Sequence, residues 1–501
     1  MDQLSYQHPV RVGTRLTKQG HIVVIKGYAE DGDAHYYIVN DPLKGKNLLF
    51  TWDQLMVTGI LTAEGEPSPE VPTWLKIHAN PNAAQELNAF SFQKTMDGGF
   101  IVAGETIPPG GTNLDCFVMK LKGAGDIDWS WTFGNPNNSD SVSSIQQTLD
   151  GNYIVAGRTI LSANYEAYVA KLDGSSGVPV WHKTYGSGLG NDIANAIIPV
   201  KTGGYIVVGS TESMGDFKSH IWVLRLDENG NVIRQKTYDG GYYASGISIL
   251  EATDGYIIAG HSRFSAGEQL DVWLLKINDP FSDEEGIPIW EKRYGLLSTW
   301  DYVSSIQKTK DGGIILVGAT NAKNYSGVMV LRLDSDGNII PQKAKVYING
   351  NDNMWDDAQS VLETADGGYI IAGNTHNNTS GLTYFFVMKL DSNLSVVWQK
   401  AYDYDLPSKY FMGFDSIQET ADGGYALLSS SGYADRIGIL KLDGNGEIPG
   451  CNIMVNTNFV EYDLTLASQG TNAIIEPLDY NMTEQSFPAQ KFFPGAIATC
   501  E

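Results

Sequence analysis

Cysteine is scarce. Cys116, Cys451 and Cys500 are the only three in 501 residues, too few for a disulfide scaffold and without zinc-ligand spacing. Basic residues are also few, with 34 Lys and Arg against 58 Asp and Glu and a formal net charge of −24. A field of that sign repels phosphate backbones and anionic membrane surfaces, so nucleic acid is not an expected partner. Its plain consequence is solubility. No apolar run reaches the ~18 residues needed to span a bilayer, so no membrane span is expected. The opening Met1-Asp2-Gln3-Leu4-Ser5 lacks a basic stretch followed by an apolar one and does not read as a signal peptide. No cofactor motif and no metal-ligand set emerges, and none is assigned.

Glycine (55), tyrosine (26) and tryptophan (11) are abundant. Gly turns between aromatic and β-branched segments suit an all-β protein of tight hairpins. The strongest feature is a repeated phrase: DGGFIVAG (97–104), DGNYIVAG (150–157), TGGYIVVG (202–209), TDGYIIAG (253–260), DGGIILVG (311–318), DGGYIIAG (366–373) and DGGYALLS (422–429). The six intervals average about 54 residues, the length of a propeller blade. Each copy holds a first strand such as SSIQQT (143–148), an Asp-Gly turn, and the apolar phrase above. A variable loop, a third strand such as FFVMKLD (385–391) and a fourth such as WHKTYG (181–186) complete the copy. Four short strands make one antiparallel blade. Seven copies over 72–450 predict a seven-bladed β-propeller.

The seventh repeat has a degenerate fourth strand, GEIPGC (446–451), while a lone fourth-strand phrase, WLKIHAN (74–80), precedes the first repeat. We expect this N-terminal strand to complete the last blade, which abolishes open edges. Trp74, Trp129, Trp181, Trp290 and Trp398 share the fourth-strand position and read as inter-blade packing rather than a ligand-binding aromatic box. Around the propeller, the sequence divides into an N-terminal segment (1–61), a Pro- and Glu-rich linker (62–71) and a short β-rich tail (451–501). Cys451 and Cys500 flank that tail. They are either a disulfide, implying an oxidising compartment, or two unrelated thiols.

The N-terminal segment is the one candidate for catalysis. Three strands can be read, Val10–Leu16, His21–Tyr28 and His35–Val39, making a small antiparallel β segment. His21 opens the second strand and Asp41 follows the third, before Pro42. An imidazole oriented by a carboxylate is the base half of a nucleophilic triad. Gly20-His21, the apolar run to Gly27-Tyr28, then Tyr36-Tyr37-Ile38-Val39-Asn40-Asp41-Pro42 and Trp52 resemble the C-terminal half of papain-like cysteine peptidases of the bacteriocin-processing type. The resemblance covers about residues 6–60. It implies His21 as general base and Asp41 as its orienting carboxylate. The nucleophilic Cys of that family lies upstream of the His, and no Cys precedes His21 here. The chain as written is therefore expected to be an inactive remnant; the alternative is a fragment of an active peptidase whose upstream half is missing from this sequence.

As a whole, residues 72–450 resemble the Asp-Gly-Gly-Tyr repeat propellers of secreted bacterial and archaeal proteins, a resemblance that implies an extracellular or cell-surface interaction module. The turns Asp227–Asn231, Asp334–Asn338 and Asp443–Glu447 resemble calcium loops and the Asp-box hairpins of sialidases. They lack a distal bidentate Glu and the Asp-box spacing, and read as turn chemistry. A propeller glycosidase is the weaker alternative, since it needs an axial nucleophile that repeats do not reveal. The loops between second and third strands vary most, for example 105–114, 261–270 and 374–383. They are the expected seat of a protein or carbohydrate ligand.

Overall fold

The computed structural model describes strands at 14–16, 22–31, 34–41 and 46–51, and most of 73–464 apart from short stretches, of which 403–415 is the longest. Beyond 464 it describes four strands, at 467–469, 474–476, 489–491 and 495–500. The chain divides into two compact units, Met1–Val71 and Pro72–Glu501.

The first unit is a four-stranded antiparallel meander: Thr14–Leu16, Ile22–Asp31, Ala34–Asp41 and Lys46–Thr51. The second and third strands run longer than their apolar cores suggested. The fourth was not read from sequence, because Leu48-Leu49-Phe50 is too short a run to separate from a loop.

The second unit is an all-β, seven-bladed propeller of four-stranded antiparallel blades. Blade 2 shows the plan, with strands Asp140–Gln147, Tyr153–Leu161, Asn164–Leu172 and Pro179–Tyr185 in that order across the sheet. The second and third strands are buried on both faces, since each blade stacks on two others. Six of the first strands carry a one-residue bulge at the same place, as between Ala89 and Ser91 and between Ala358 and Ser360. Closure follows the sequence expectation: Trp74–Ala79 pairs antiparallel with Arg436–Leu442, placing Leu75 opposite Leu440.

The repeat phrases become two kinds of contact. Within a blade, the basic residue of the third strand reaches the Asp-Gly turn. Lys120, Lys171, Lys276, Lys389 and Lys441 meet Asp97, Asp150, Asp254, Asp366 and Asp422 at 2.7–3.0 Å, and Arg332 grips Asp311. Blade 3 has Thr202 at the Asp position, and Arg225 there bonds the Gly203 carbonyl at 2.6 Å instead. Between blades, the Trp-x-Lys-x-Tyr phrase grips the Asp/Asn/Gly turn of the following blade. Trp398 lies so close to Gly446 that a Cβ there would stand 2.7 Å away, and Trp74 does the same to Gly125 at 2.6 Å across the closure. Both glycines have positive φ (74° and 80°), the conformation these turns require. Lys76, Lys183, Lys343 and Lys400 reach side chains of the next turn at 2.8 Å. The hydroxyls of Tyr185 and Tyr402 donate to the carbonyls of Gly230 and Gly446 at 2.7 Å.

The tail after Cys451 runs around the outside of the ring. Its described strands pair antiparallel with the fourth strands of six blades: Met454–Val455 on blade 6, Phe459–Asp463 on blade 5, Ala467–Gln469 on blade 4, Ile474–Glu476 on blade 3, Ala489–Lys491 on blade 1 and Gly495–Cys500 on blade 7. Blade 2 has four strands among the described residues. Leu464 is buried in the core between blades 4 and 5, and Lys345 pairs with Asp463 at 2.6 Å. Cys451 is disulfide-bonded and Cys116 is free. Cys500 is the third cysteine of the chain.

Candidate functional site

One end of the propeller carries the starts of the first strands, the ends of the second strands and the starts of the third. There an inter-blade pocket of about 370 Å³ opens between blades 1 and 2. Glu86 and Glu105 of blade 1 and Asp140 of blade 2 line it, together with Arg158 and Tyr165. Glu105 and Leu114 bound the variable loop 105–114, so the loop chosen from sequence borders the site.

Local structure explains each placement. Asn88, near the start of the first strand, pairs in register with Glu105 at the end of the second. Its Nδ2 donates to Glu86 Oε2 and Glu105 Oε1, each at 3.3 Å. Its Oδ1 is left without a hydrogen-bond partner, although Asn88 is only 4% exposed. Burial pushes the Glu105 carboxyl up, against hydrogen bonds from Ser141 and Asn88 and the charge of Arg158. Asp140 accepts from the Asn135 N–H at 2.6 Å through Oδ2, and burial pushes its carboxyl up to about 6. Its neighbour Asp115 is pushed up to about 7 by burial and then by the Asp140 charge. Arg158 stacks on the Tyr165 ring, 4.8 Å from its centroid.

Repetition separates structural from site-specific residues. Asp140 recurs as Asp192, Asp301 and Asp356, all buried at first strands and cross-strand from Thr159, Thr211, Thr320 and Thr375. Asp192 and Asp356 also accept main-chain N–H groups, from Ser187 and Asn349. These are pins of the blade junction. Glu105 is aligned with Arg158, Ser210, Ala319 and Asn374, and Asn88 with Ser141, Ile193, Tyr302 and Asp357. Among these five blades the acidic residue with its bridging amide is found in blade 1 alone. Sequence reading missed it because its members are 17 residues apart and become neighbours only through strand register.

The sequence candidates fall elsewhere. His21 lies outside the described residues. Asp41 ends the third strand of the N-terminal unit, opposite Lys46. Cys116 is buried in the third strand of blade 1, where burial pushes its thiol well up. The calcium-like turns spend their carboxylates on their own backbone. Asp334 Oδ1 accepts from the N–H groups of Asp336 and Asn338 at 2.9 and 2.8 Å, and Asp227 and Asp443 do likewise. Among the described residues, no group of three or more His, Cys, Asp or Glu could hold a metal ion. Among them, no helix is long and apolar enough to cross a membrane.

No family model and no curated protein matches the chain. Solved structures similar to it include Sqt1 from Chaetomium thermophilum (12% identity, TM-score 0.42, covering 77% of this chain and 90% of that one). They also include the Dos1 propeller (10%, TM-score 0.39, 73% and 94%). A third is a point mutant of NanB sialidase from Streptococcus pneumoniae (11%, TM-score 0.40, 85% and 84%).

Proposed function

We propose that the chain is an extracellular or cell-surface binding protein, with residues 1–61 as the nucleophile-free C-terminal part of a papain-like peptidase domain. Its propeller holds a protein partner at the end where the first strands begin. The observation that carries this reading is the pocket between blades 1 and 2. Glu86, Asn88 and Glu105 are dispensable to the blade plan, yet they are arranged around one cavity. An exported location is supported by the bonded state of Cys451, since disulfides persist in oxidising compartments. The peptidase remnant is supported by the Gly20-His21 and Asn40-Asp41-Pro42 phrases and by the antiparallel order of the strands between them.

Screening the full chain against peptide and glycan arrays tests the binding function. Peptide binding that Glu105→Gln weakens is expected; binding confined to glycans overturns the choice of partner. Casein turnover is expected at background. Activity that His21→Ala abolishes would make the chain an enzyme. Alkylation of unreduced, denatured protein tests the compartment: one labelled cysteine is expected, and three would place the chain in a reducing one.

A further inference from the structure

We infer that the exposed tryptophans of blades 5 and 6, Trp300 and Trp355, hold a basic segment of the protein partner by taking its arginine or lysine side chains on their indole faces. This rests on the binding function proposed above and adds a second contact region and its chemistry. Both residues stand directly before the pinning aspartates Asp301 and Asp356, at the end of the propeller where the first strands begin. The same position in blades 1 to 4 is Glu86, Ser139, Asn191 and Tyr243, so the blade plan does not call for an indole there. Yet Trp300 is 40% exposed and Trp355 58%. Tyr302 backs the Trp300 ring, with centroids 6.1 Å apart and planes 23° from parallel. Tyr242 and Phe217, both exposed in loops at this end, continue the row towards blade 3. Phe217 stands outward at a φ of 60°, which bulky side chains rarely adopt. Its neighbours pin it there: Asp216 accepts from the Lys218 N–H at 3.1 Å, and the Ser219 carbonyl from the Ala244 N–H at 2.7 Å. The exposed aliphatics Val180, Ile233, Ile289 and Val397, by contrast, recur at one position of the fourth strands and belong to the repeat. Exposed aromatics gathered at one end of a ring mark an interaction surface.

Charge selects the occupant. Two cations beside the row are each shared by two carboxylates. Lys218 lies 3.9 and 3.8 Å from Asp216 and Asp239, and Arg293 lies 3.0 and 2.6 Å from Glu268 and Asp271. The chain as a whole carries −24, so a basic partner is drawn in and an acidic one repelled. A purely apolar partner would strip water from these carboxylates and return nothing. The same end already displays the contact in question. Arg158, Arg263 and Arg293 place their guanidinium groups 4.7–4.8 Å from the ring centroids of Tyr165, Tyr242 and Phe264. A partner's cation on Trp300 or Trp355 repeats that contact on the aromatic ring that attracts cations most strongly.

The test uses the full chain and fluorescence anisotropy with a labelled peptide alternating arginine and alanine, beside the same peptide with uncharged citrulline in place of arginine. Saturable binding of the arginine peptide is expected, with little for the citrulline peptide. Trp300→Leu combined with Trp355→Leu should weaken it about 10-fold, whereas the corresponding Phe pair should keep most of it, since leucine is apolar but has no π face. Val180→Ala, on the repeat's own aliphatic position, should change nothing. Urea midpoints matching that of the parent chain show that the variants fold. No saturable binding of the arginine peptide, equal binding of the citrulline peptide, or indifference to the leucine pair overturns the inference; the first two readings need no variant. A glycan whose binding the leucine pair abolishes, while arginine-peptide binding persists, gives the surface to a sugar and also overturns it. If the arrays find peptide ligands whose binding ignores the leucine pair, the binding function stands and the tryptophan inference falls.

Discussion

Asp366→Asn is the sharpest test of how the repeat stabilises a blade. The Lys389 side chain is 7% exposed and sits 3.0 Å from an Asp366 carboxylate that is 65% exposed. Its ammonium also donates to the Leu390 carbonyl at 3.1 Å. Burial pushes the Asp366 carboxyl up, but the Thr364 hydroxyl, the Lys389 ammonium and the Gly368 N–H outweigh it and hold it at about 2. At 3 Å the Coulomb attraction lies between about 1.4 and 5.5 kcal/mol for effective dielectrics of 80 and 20. The exposed carboxylate places it near the lower end, about 1–2 kcal/mol. Asn keeps the turn hydrogen bonds and removes only the charge, so Asp366→Asn should cost about 1–2 kcal/mol, leaving a buried ammonium half-satisfied. Lys389→Met removes the ammonium itself and should cost less, because an apolar chain suits the buried stem. The double variant should then match Lys389→Met alone, giving a coupling of about 1–2 kcal/mol. Urea unfolding followed by tryptophan fluorescence and by circular dichroism, with coincident transitions, gives the three values. A neutral Asp366→Asn, or strictly additive single effects, would refute the argument.

In blade 3, Thr202→Asp supplies Arg225 with the carboxylate that the other blades have and should raise stability by about 1 kcal/mol, read in the same titration. Gly446→Ala forces a Cβ against Trp398 at a positive φ and should cost about 2 kcal/mol or more, while Tyr402→Phe, losing one buried hydrogen bond, should cost about 1 kcal/mol. Stability should rise as pH falls from 8 towards 5, since Asp356, pushed up to about 7 by burial and then by the Asp357 charge, binds its proton more readily folded than unfolded. It should fall again below about pH 4, where Asp97 and Asp366, held at about 2, are protonated first in the unfolded chain. A thermal melt series from pH 3 to 8 that declines monotonically with acid contradicts the burial of Asp356. Taking Cys500 as the partner of Cys451, Cys500→Ser opens a loop of about 50 residues and should cost about 4 kcal/mol; an unchanged urea midpoint would show that the bond is idle.

The ring was legible because its contacts repeat. Asp-Gly-Gly with Lys-Leu-Asp, and Trp-x-Lys-x-Tyr with Asp-x-x-Gly, recur at fixed spacing, and each pair proves to be one contact made several times. Closure was legible for the same reason, since Trp74 and Lys76 are a fourth-strand phrase out of place. Features made once left no such trace. Asn88, Glu105 and Arg158 meet through register across two blades, and nothing in their own neighbourhoods distinguishes them from surface polar residues. The tail was opaque because strands of two to six residues take their conformation from the edges they join rather than from their own propensity. Phe459–Asp463 showed a weak strand pattern, but its destination on Ile339–Asn349 lay more than 100 residues away in sequence.

A ring of stacked repeats in which each unit touches only its neighbours behaves as a one-dimensional array, in which stability is a sum of local terms and a weak unit can open alone. The outer strand adds a second dimension to that array. Blades 6, 5, 4, 3, 1 and 7 are strung in turn on one stretch of chain, so the loosening of one releases slack that the others feel. The unfolding transition should accordingly be sharper than nearest-neighbour coupling allows, and hydrogen exchange in the fourth strands of those six blades should slow together.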